Sequence, residues 1–374
     1  MKKNQKISYV DLPLALSSFF LMMIGLIMVY SASSLTATEM YGDSTYFLKK
    51  HLIMLLIGVV AMSFSFFAPL SAIKKLTLPM FLVSIVFLLL LVFSSMGHEA
   101  KHATRWVEIF GFRFQPSEMA KPALILFVAG YLDRLGKKIQ SFQDGLLPLL
   151  TIIGVSLLLI IKQPDFGTSV TIAATLGIML FVGQIRLSHF AALSTLFVGA
   201  GALLIFSAQY RMNRVLSFLN PWSDPQGKGF QILQSYIAFG RGGVHGEGLG
   251  DGTQKLLYLP EAHTDFIFSV IAEELGMIGT LSVIFLFLVL VVQGFRITQR
   301  IQDPYASQLA LGITCLFGLQ AFLNMGVVMG MLPTKGLTLP FVSYGGTSLI
   351  MSCFLLGILL SLSSLVHGSS PRKV

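Results

Sequence analysis

Apolar runs of about 17 to 25 residues recur along this 374-residue chain, separated by mostly short polar connections. A helix of about 20 apolar residues crosses the ~30 Å hydrocarbon core of a bilayer. Only 11% of the residues are charged, whereas a soluble domain has about 25%. The pattern therefore predicts an all-α integral membrane protein with about ten transmembrane helices, near residues 12–33, 51–69, 77–96, 118–133, 145–162, 168–185, 188–207, 265–294, 306–331 and 348–366.

Residues 1–374 are predicted to form one membrane domain, because the sequence shows no internal repeat and no soluble domain at either end. An even number of spans places both termini on one side of the membrane. Cytoplasmic connections are enriched in Lys and Arg. The N-terminal side holds 13 of the 26 basic residues, and five of the others lie in segment 208–264. Without that segment the ratio is 13 to 8, which predicts cytoplasmic termini and a large extracytoplasmic loop, 208–264, before the eighth helix.

Asp265, Glu273 and Glu274 are acidic residues at the start of the predicted eighth span. On a continuous helix Glu273 lies about 12 Å deeper than Asp265, and Glu274 points to the opposite side. Charged groups inside a bilayer are costly and usually mark chemistry or transport. We therefore expect some of these acids to face protein or water.

The extracytoplasmic loop combines basic residues with glycines. Arg211 and Arg214 precede Asn-Pro and Asp-Pro steps, which favour turns over helix. Segment 240–252 contains seven glycines and is predicted to lack regular structure. Its N–H groups could approach a phosphate, with Arg241 and Lys255 as charge partners, and a flexible lid is the alternative. The net charge of +9 thus indicates topology and an anion site, not nucleic-acid binding.

Further polar residues lie near the outer ends of other predicted spans. Glu118 and Lys121 are three residues apart on a helix and can form an ion pair, whose role is either functional or purely structural. Arg105 is a candidate anion-binding residue beside the interfacial Trp106. Other polar residues in these regions are Asp165, Gln320, Asn324, Lys335, Ser343 and Tyr344. Together these groups suggest an outer cavity for a polar substrate carried on a lipid.

The seven histidines show no zinc-type spacing, which argues against a metal held by protein ligands alone. A Mg²⁺ or Mn²⁺ ion shared with a pyrophosphate would leave no such signature. His263, two residues before Asp265, is instead a candidate substrate contact.

These residues resemble the SEDS family (shape, elongation, division and sporulation) of bacterial lipid II polymerases, over essentially the whole chain. The resemblance rests on Arg105-Trp106 and on segments 115–121, 163–168, 259–276 and 333–348. Segments 220–222, 239–243 and 254–265 are most similar to division-type members, although sporulation-type members share most of these residues.

The resemblance implies about ten transmembrane helices, a catalytic aspartate at Asp265, and lipid II and an undecaprenyl-linked glycan as substrates. It also implies a divalent cation, and as partners a class B penicillin-binding protein transpeptidase and other division proteins at the septum of the bacterial cell membrane. The candidate substrate-binding residues are Arg105, Glu118, Lys121, Asp165, Arg211, Arg214, Arg241, Lys255, His263, Lys335 and Ser343.

Undecaprenyl pyrophosphate leaves readily as an anion, so the reaction needs one general base and no general acid. We predict that Asp265, in a locally apolar setting, takes the proton from the acceptor hydroxyl. A lipid II flippase is an alternative, but it needs a polar path through both leaflets. A non-catalytic scaffold for division proteins is a third interpretation, and it leaves the intramembrane acids unexplained.

Overall fold

The computed structural model describes residues 10–93, 98–100, 103–109, 112–253, 262–334 and 336–368. Within these ranges the chain forms a small β-sheet and twelve α-helices. The helices are α1 (Leu12–Tyr41), α2 (Tyr46–Phe67), α3 (Leu70–Phe93), α4 (Pro116–Leu135), α5 (Leu147–Lys162), α6 (Phe166–Val182), α7 (Leu187–Phe206), α8 (Gln209–Leu219), α9 (Phe230–Gly242), α10 (Ile267–Arg300), α11 (Pro304–Val328) and α12 (Gly346–Gly368).

Ten of these helices coincide with the ten predicted spans, which confirms the all-α integral membrane fold. Eight helices in the described ranges are long and apolar enough to cross a bilayer. Helix α6 is apolar but shorter, with 17 residues. Helix α4 has the length but carries four charged side chains, at Glu118, Lys121, Asp133 and Arg134.

Aspartate caps begin three of the spans. Asp11 accepts a hydrogen bond from the Leu14 N–H at the start of α1, and Asp303 does the same for Ala306 at the start of α11. Asp165 caps α6 in the same way. A capping side chain satisfies an N–H group that has no partner within the helix, so these sequence positions fix where each helix starts.

The helices pack into one bundle in which α10 and α11 lie side by side and α12 packs along α2. Helix α1 contacts α10, and α4 contacts both α3 and α11. Helix α7 is peripheral, because none of its residues is buried. Helices α1, α9, α11 and α12 all pack against α10.

The described part of the predicted loop 208–264, residues 208–253 and 262–264, is more ordered than its sequence predicts. It contains α8 and α9, and α9 extends to Gly242, so the start of the glycine-rich segment is helical. The prediction of irregular structure from residue 240 is wrong for these first residues, because α9 is stabilised by packing against α10. The turn residues Asn220 and Pro221 do end α8, as expected.

Two further features were not predicted. Strands β1 (His98–Ala100), β2 (Ala103–Ile109) and β3 (Phe112–Phe114) form an antiparallel sheet between α3 and α4. Helix α10 is broken at Gly276, where φ is 63° and ψ is −158°. The break separates Glu273 and Glu274 from the long apolar part of the helix.

Candidate functional site

Asp265 lies in the turn 262–266 before α10, not on the helix itself, and it is partly exposed. The prediction that it shares a helix with Glu273 is therefore wrong. The side-chain amide of Asn324 on α11 donates to the Asp265 carbonyl at 2.9 Å and to the Leu337 carbonyl at 2.5 Å. One amide thus fixes the turn that carries Asp265 against the connection between α11 and α12.

Gly336 lies directly beside the Asp265 carboxylate. A Cβ atom at this glycine would be 3.0 Å from Asp265 Oδ2. That distance is tighter than ordinary van der Waals contact, so a side chain there would crowd the carboxylate. Glycine therefore allows the backbone to approach the carboxylate closely.

An aromatic cluster surrounds His263, two residues before Asp265. Its ring lies 4.7 Å from Phe47 and 5.5 Å from Tyr344, and its carbonyl accepts a hydrogen bond from the Tyr344 N–H at 2.9 Å. The Ser343 hydroxyl is buried and accepts from the Leu339 N–H at 2.8 Å. His263 thus sits at the site, whereas the Ser343 side chain holds the shape of the α11–α12 connection.

The predicted Glu118–Lys121 ion pair is present on α4. Lys121 Nζ lies 2.7 Å from Glu118 Oε1, and both side chains are buried. Lys121 also donates to Gln320 Oε1 at 3.3 Å, and the Gln320 amide donates to the Thr338 carbonyl at 3.0 Å. Through this chain of polar contacts α4 is connected to the segment that also contacts Asp265.

Asp165 is buried and accepts hydrogen bonds from three donors. These are the Thr168 N–H at 3.3 Å, the Ser117 hydroxyl at 2.9 Å and the Gln115 amide at 3.1 Å. The contacts join the start of α6 to the start of α4. The structure therefore gives Asp165 a role in fixing two helix ends.

Among the predicted basic residues whose side chains the structure describes, Arg211 and Arg214 lie beside Tyr210, whereas Arg241 lies beside Glu273. Arg211 donates to the Tyr210 hydroxyl and to the Leu204 carbonyl. Arg214 donates to the Thr334 carbonyl at 3.5 Å, in the α11–α12 connection that also contains Gly336 beside Asp265. Arg105 lies in β2, and its side chain is outside the described part. Lys255 and Lys335 also lie outside the described residues.

The glycine-rich segment packs against the break in α10. The Glu247 N–H donates to the Glu273 carbonyl at 2.9 Å, and the Gly248 N–H donates to the Glu274 carbonyl at 3.1 Å. These N–H groups are engaged with protein, which argues against the phosphate cradle predicted for them. Arg241 donates to the Thr253 hydroxyl and lies 4.0 Å from Glu273 Oε1.

Sequence reasoning did not single out Phe47 or His51 on α2. His51 is buried, its ring lies 6.0 Å from Tyr344, and its Nε2 atom has no hydrogen-bond partner among the described residues. A histidine at the start of the apolar part of α2, directly after Lys49 and Lys50, was the available signal.

A metal site made of protein ligands is not formed by the described residues, where no group of three or more His, Cys, Asp or Glu side chains comes together. Among Asp265, Glu118 and Asp165, only Asp265 is partly exposed. The divalent cation stays a prediction.

Comparison with known proteins gives consistent results across nearly the full length. A family described as cell cycle proteins, comprising FtsW, RodA and SpoVE, matches residues 13–367. A protein of Geobacter metallireducens named probable peptidoglycan glycosyltransferase FtsW is 43% identical, covering 98% of this chain and 97% of its own. Stage V sporulation protein E of Bacillus subtilis is 41% identical, covering 94% and 96%.

Among solved structures, one described as "Structural coordination of polymerization and crosslinking by a peptidoglycan synthase complex" is similar in fold. The TM-score is 0.78 at 25% sequence identity, covering 96% of this chain and 98% of the other. The arrangement of the helices is thus shared over the whole bundle.

Proposed function

Because the chain belongs to the FtsW, RodA and SpoVE family of cell cycle proteins, we propose that it is a peptidoglycan glycosyltransferase. It transfers a lipid-linked glycan to lipid II and releases undecaprenyl pyrophosphate. The placement of Asp265 carries this proposal. The acid is partly exposed, its backbone is fixed by Asn324, and Gly336 approaches its carboxylate without crowding it.

The reaction forms a bond between the acceptor hydroxyl oxygen and the anomeric carbon of the donor. It breaks the bond from that carbon to the pyrophosphate oxygen. Asp265 accepts the hydroxyl proton, and the pyrophosphate leaves with the bonding electron pair, so no general acid is needed. A positioned general base contributes about 10²- to 10⁴-fold to the rate.

The charge that develops on the pyrophosphate requires cations. Arg214 is the predicted basic residue whose described contacts reach the α11–α12 connection, through Thr334. Lys121 is buried and paired with Glu118, so it supports the site rather than binding the leaving group directly. A Mg²⁺ or Mn²⁺ ion bound to the substrate would supply further positive charge.

Relatives named FtsW support a proposal for the biological setting. We place the protein in the bacterial cell membrane with both termini in the cytoplasm, acting at the division septum. Its partner would be a class B penicillin-binding protein transpeptidase, which crosslinks the strands it makes, together with other division proteins. A sporulation role is one alternative, because the FtsW and SpoVE relatives are almost equally identical to this chain, at 43% and 41%. An elongation role is a second alternative.

A lipid II flippase is the competing function from another class. Acidic residues lie at or just before the beginnings of three helices, with Asp265 at α10, Asp165 at α6 and Glu118 at α4. The predicted topology places these three helix beginnings on one side of the membrane. A transport path would need such groups through both leaflets. This distribution therefore favours chemistry at the outer surface.

Two parallel assays on the purified complex with its transpeptidase separate these functions. We expect glycan polymer from lipid II, resolved by gel electrophoresis. Movement of lipid II between the leaflets of protein-containing vesicles, without any polymer, would contradict the proposal and support the flippase. Absence of both activities would support the scaffold.

A further inference from the structure

The break in α10 is repaired by a different part of the chain. In a regular helix the N–H groups of Met277 and Ile278 would donate to the carbonyls of Glu273 and Glu274. Here Met277 donates to the Gly243 carbonyl at 2.9 Å, and Ile278 donates to the Val244 carbonyl at 3.3 Å.

The two carbonyls released by the break are satisfied by the same segment. Glu247 and Gly248 donate to them, as described above. Residues 243–248 therefore replace both lost helical hydrogen bonds and hold the two parts of α10 together. All four backbone groups that the break releases are therefore satisfied within the protein.

Two buried carboxylates anchor the short first part of α10. Glu274 accepts a hydrogen bond from the Ser31 hydroxyl on α1 at 2.7 Å. Glu273 accepts from the Thr253 N–H at 2.9 Å and from the Thr253 hydroxyl at 3.1 Å. Arg241 bridges these groups, since it contacts both Thr253 and Glu273. Buried carboxylates persist only where such partners offset their desolvation.

We propose that Glu273, held by Arg241 and Thr253, is a positioning residue for Asp265. The inference rests on the proposed glycosyltransferase function. The first part of α10 runs from Ile267 to Leu275 and is about 13 Å long. Asp265 precedes its beginning and Glu273 lies near its end.

The physical reason is that Gly276 interrupts the helical hydrogen bonds between this short helix and the rest of α10, so its orientation depends on contacts with other parts of the chain. These contacts include Asn324 near Asp265 and the Glu273 contacts near the break. A catalytic group displaced by about 1 Å can lose about 10²-fold in rate. Loosening the Glu273 end therefore lowers the rate of the chemical step without removing a substrate contact.

This role differs measurably from the predicted role of Arg241 as a substrate ligand. A ligand for pyrophosphate would raise KM for lipid II when it is removed, whatever residue occupies position 273. A positioning pair lowers kcat with KM unchanged, and its two members depend on each other.

The test uses the full-length chain in complex with its transpeptidase, with variants Glu273→Gln, Arg241→Gln and the double variant. Each single variant is expected to lower kcat about tenfold or more with KM within about twofold, and the double variant to be no slower than the worse single. Arg241→Lys keeps the charge and should recover most of kcat. Rates are normalised to the amount of monodisperse complex. The matched control is Asp133→Asn on α4, which removes an ion pair with Lys74 on α3.

A raised KM with additive effects would overturn the inference and make Arg241 a substrate ligand. An unchanged kcat in Glu273→Gln would also overturn it. If this variant fails to fold, Thr253→Val removes one hydroxyl donor to Glu273 and tests the same contact.

Amide hydrogen exchange provides a second measurement that needs no catalysis. Exchange in residues 262–275 is expected to be faster in Glu273→Gln than in Asp133→Asn, with α11 unchanged. Equal exchange would refute the positioning role. If exchange is faster in Glu273→Gln but the wild-type protein forms no polymer from lipid II, the glycosyltransferase function is refuted and the contact of Glu273 is not.

Discussion

Replacing Glu118 by Gln removes one member of a buried ion pair while keeping the size of the side chain. Lys121 would then retain a described contact with Gln320 at 3.3 Å, but it would lose the carboxylate at 2.7 Å. Both side chains are almost inaccessible to solvent, at 3% for Lys121 and 9% for Glu118. Water therefore cannot replace the lost partner.

The size of the effect follows from two opposing quantities. At 2.7 Å and an effective dielectric constant of about 20, the attraction is about 6 kcal/mol. Desolvation of the two charges opposes it, and removing one partner of such a pair typically costs about 3–5 kcal/mol. Because Gln320 remains, we expect about 3 kcal/mol, the lower end of that range. For 374 residues this corresponds to a fall of about 4 °C in the unfolding midpoint.

The assay is thermal unfolding in detergent at one fixed scan rate. The double variant Glu118→Gln/Lys121→Met removes both charges and should be more stable than either single variant. Asp133→Asn breaks the more exposed pair with Lys74 and should shift the midpoint by about 1 °C or less. If the losses of the two single variants simply added in the double variant, the two charges would not be coupled and the reasoning would be refuted.

Three further outcomes are expected. Asp165→Ala removes the α6 cap and the acceptor for Ser117, so it should lower the free energy of unfolding by about 2 kcal/mol, measured by thermal unfolding. Asp303→Ala removes only a helix cap and should cost less; equal losses would contradict this. Gly246→Ala places a Cβ against the Glu274 carbonyl at φ +81° and should reduce polymerisation and stability more than Gly250→Ala, at φ +90° in open space; equivalence would exclude the close approach. Chelation by EDTA should stop polymerisation and added Mg²⁺ or Mn²⁺ restore it, whereas undiminished activity would exclude the cation.

The bundle could be predicted from sequence because its determinants are local. Length and hydrophobicity decide where a helix can cross a membrane, and the ten predicted spans all correspond to helices. The Glu118–Lys121 pair also follows from spacing, because residues three apart share a helix face. Its extension to Gln320 could not be predicted, since that contact joins positions 199 residues apart.

The break in α10 shows what local patterns cannot reveal. Gly276 stands within an apolar run that favours a continuous helix, and the partners of its broken hydrogen bonds come from residues 243–248. Only the tertiary structure shows that these N–H groups bind protein rather than phosphate. The helices within loop 208–264 escaped prediction for a similar reason, because α9 depends on packing against α10.

The central claim is that the Asp265 carboxylate is the base of a glycosyl transfer. Polymerisation of lipid II by the purified complex, with wild type and Asp265→Asn compared at equal amounts of folded protein, tests it most directly. The account predicts a rate about 10²- to 10⁴-fold lower for the variant, with an unchanged unfolding midpoint. Polymer formation by Asp265→Asn at the wild-type rate would contradict it.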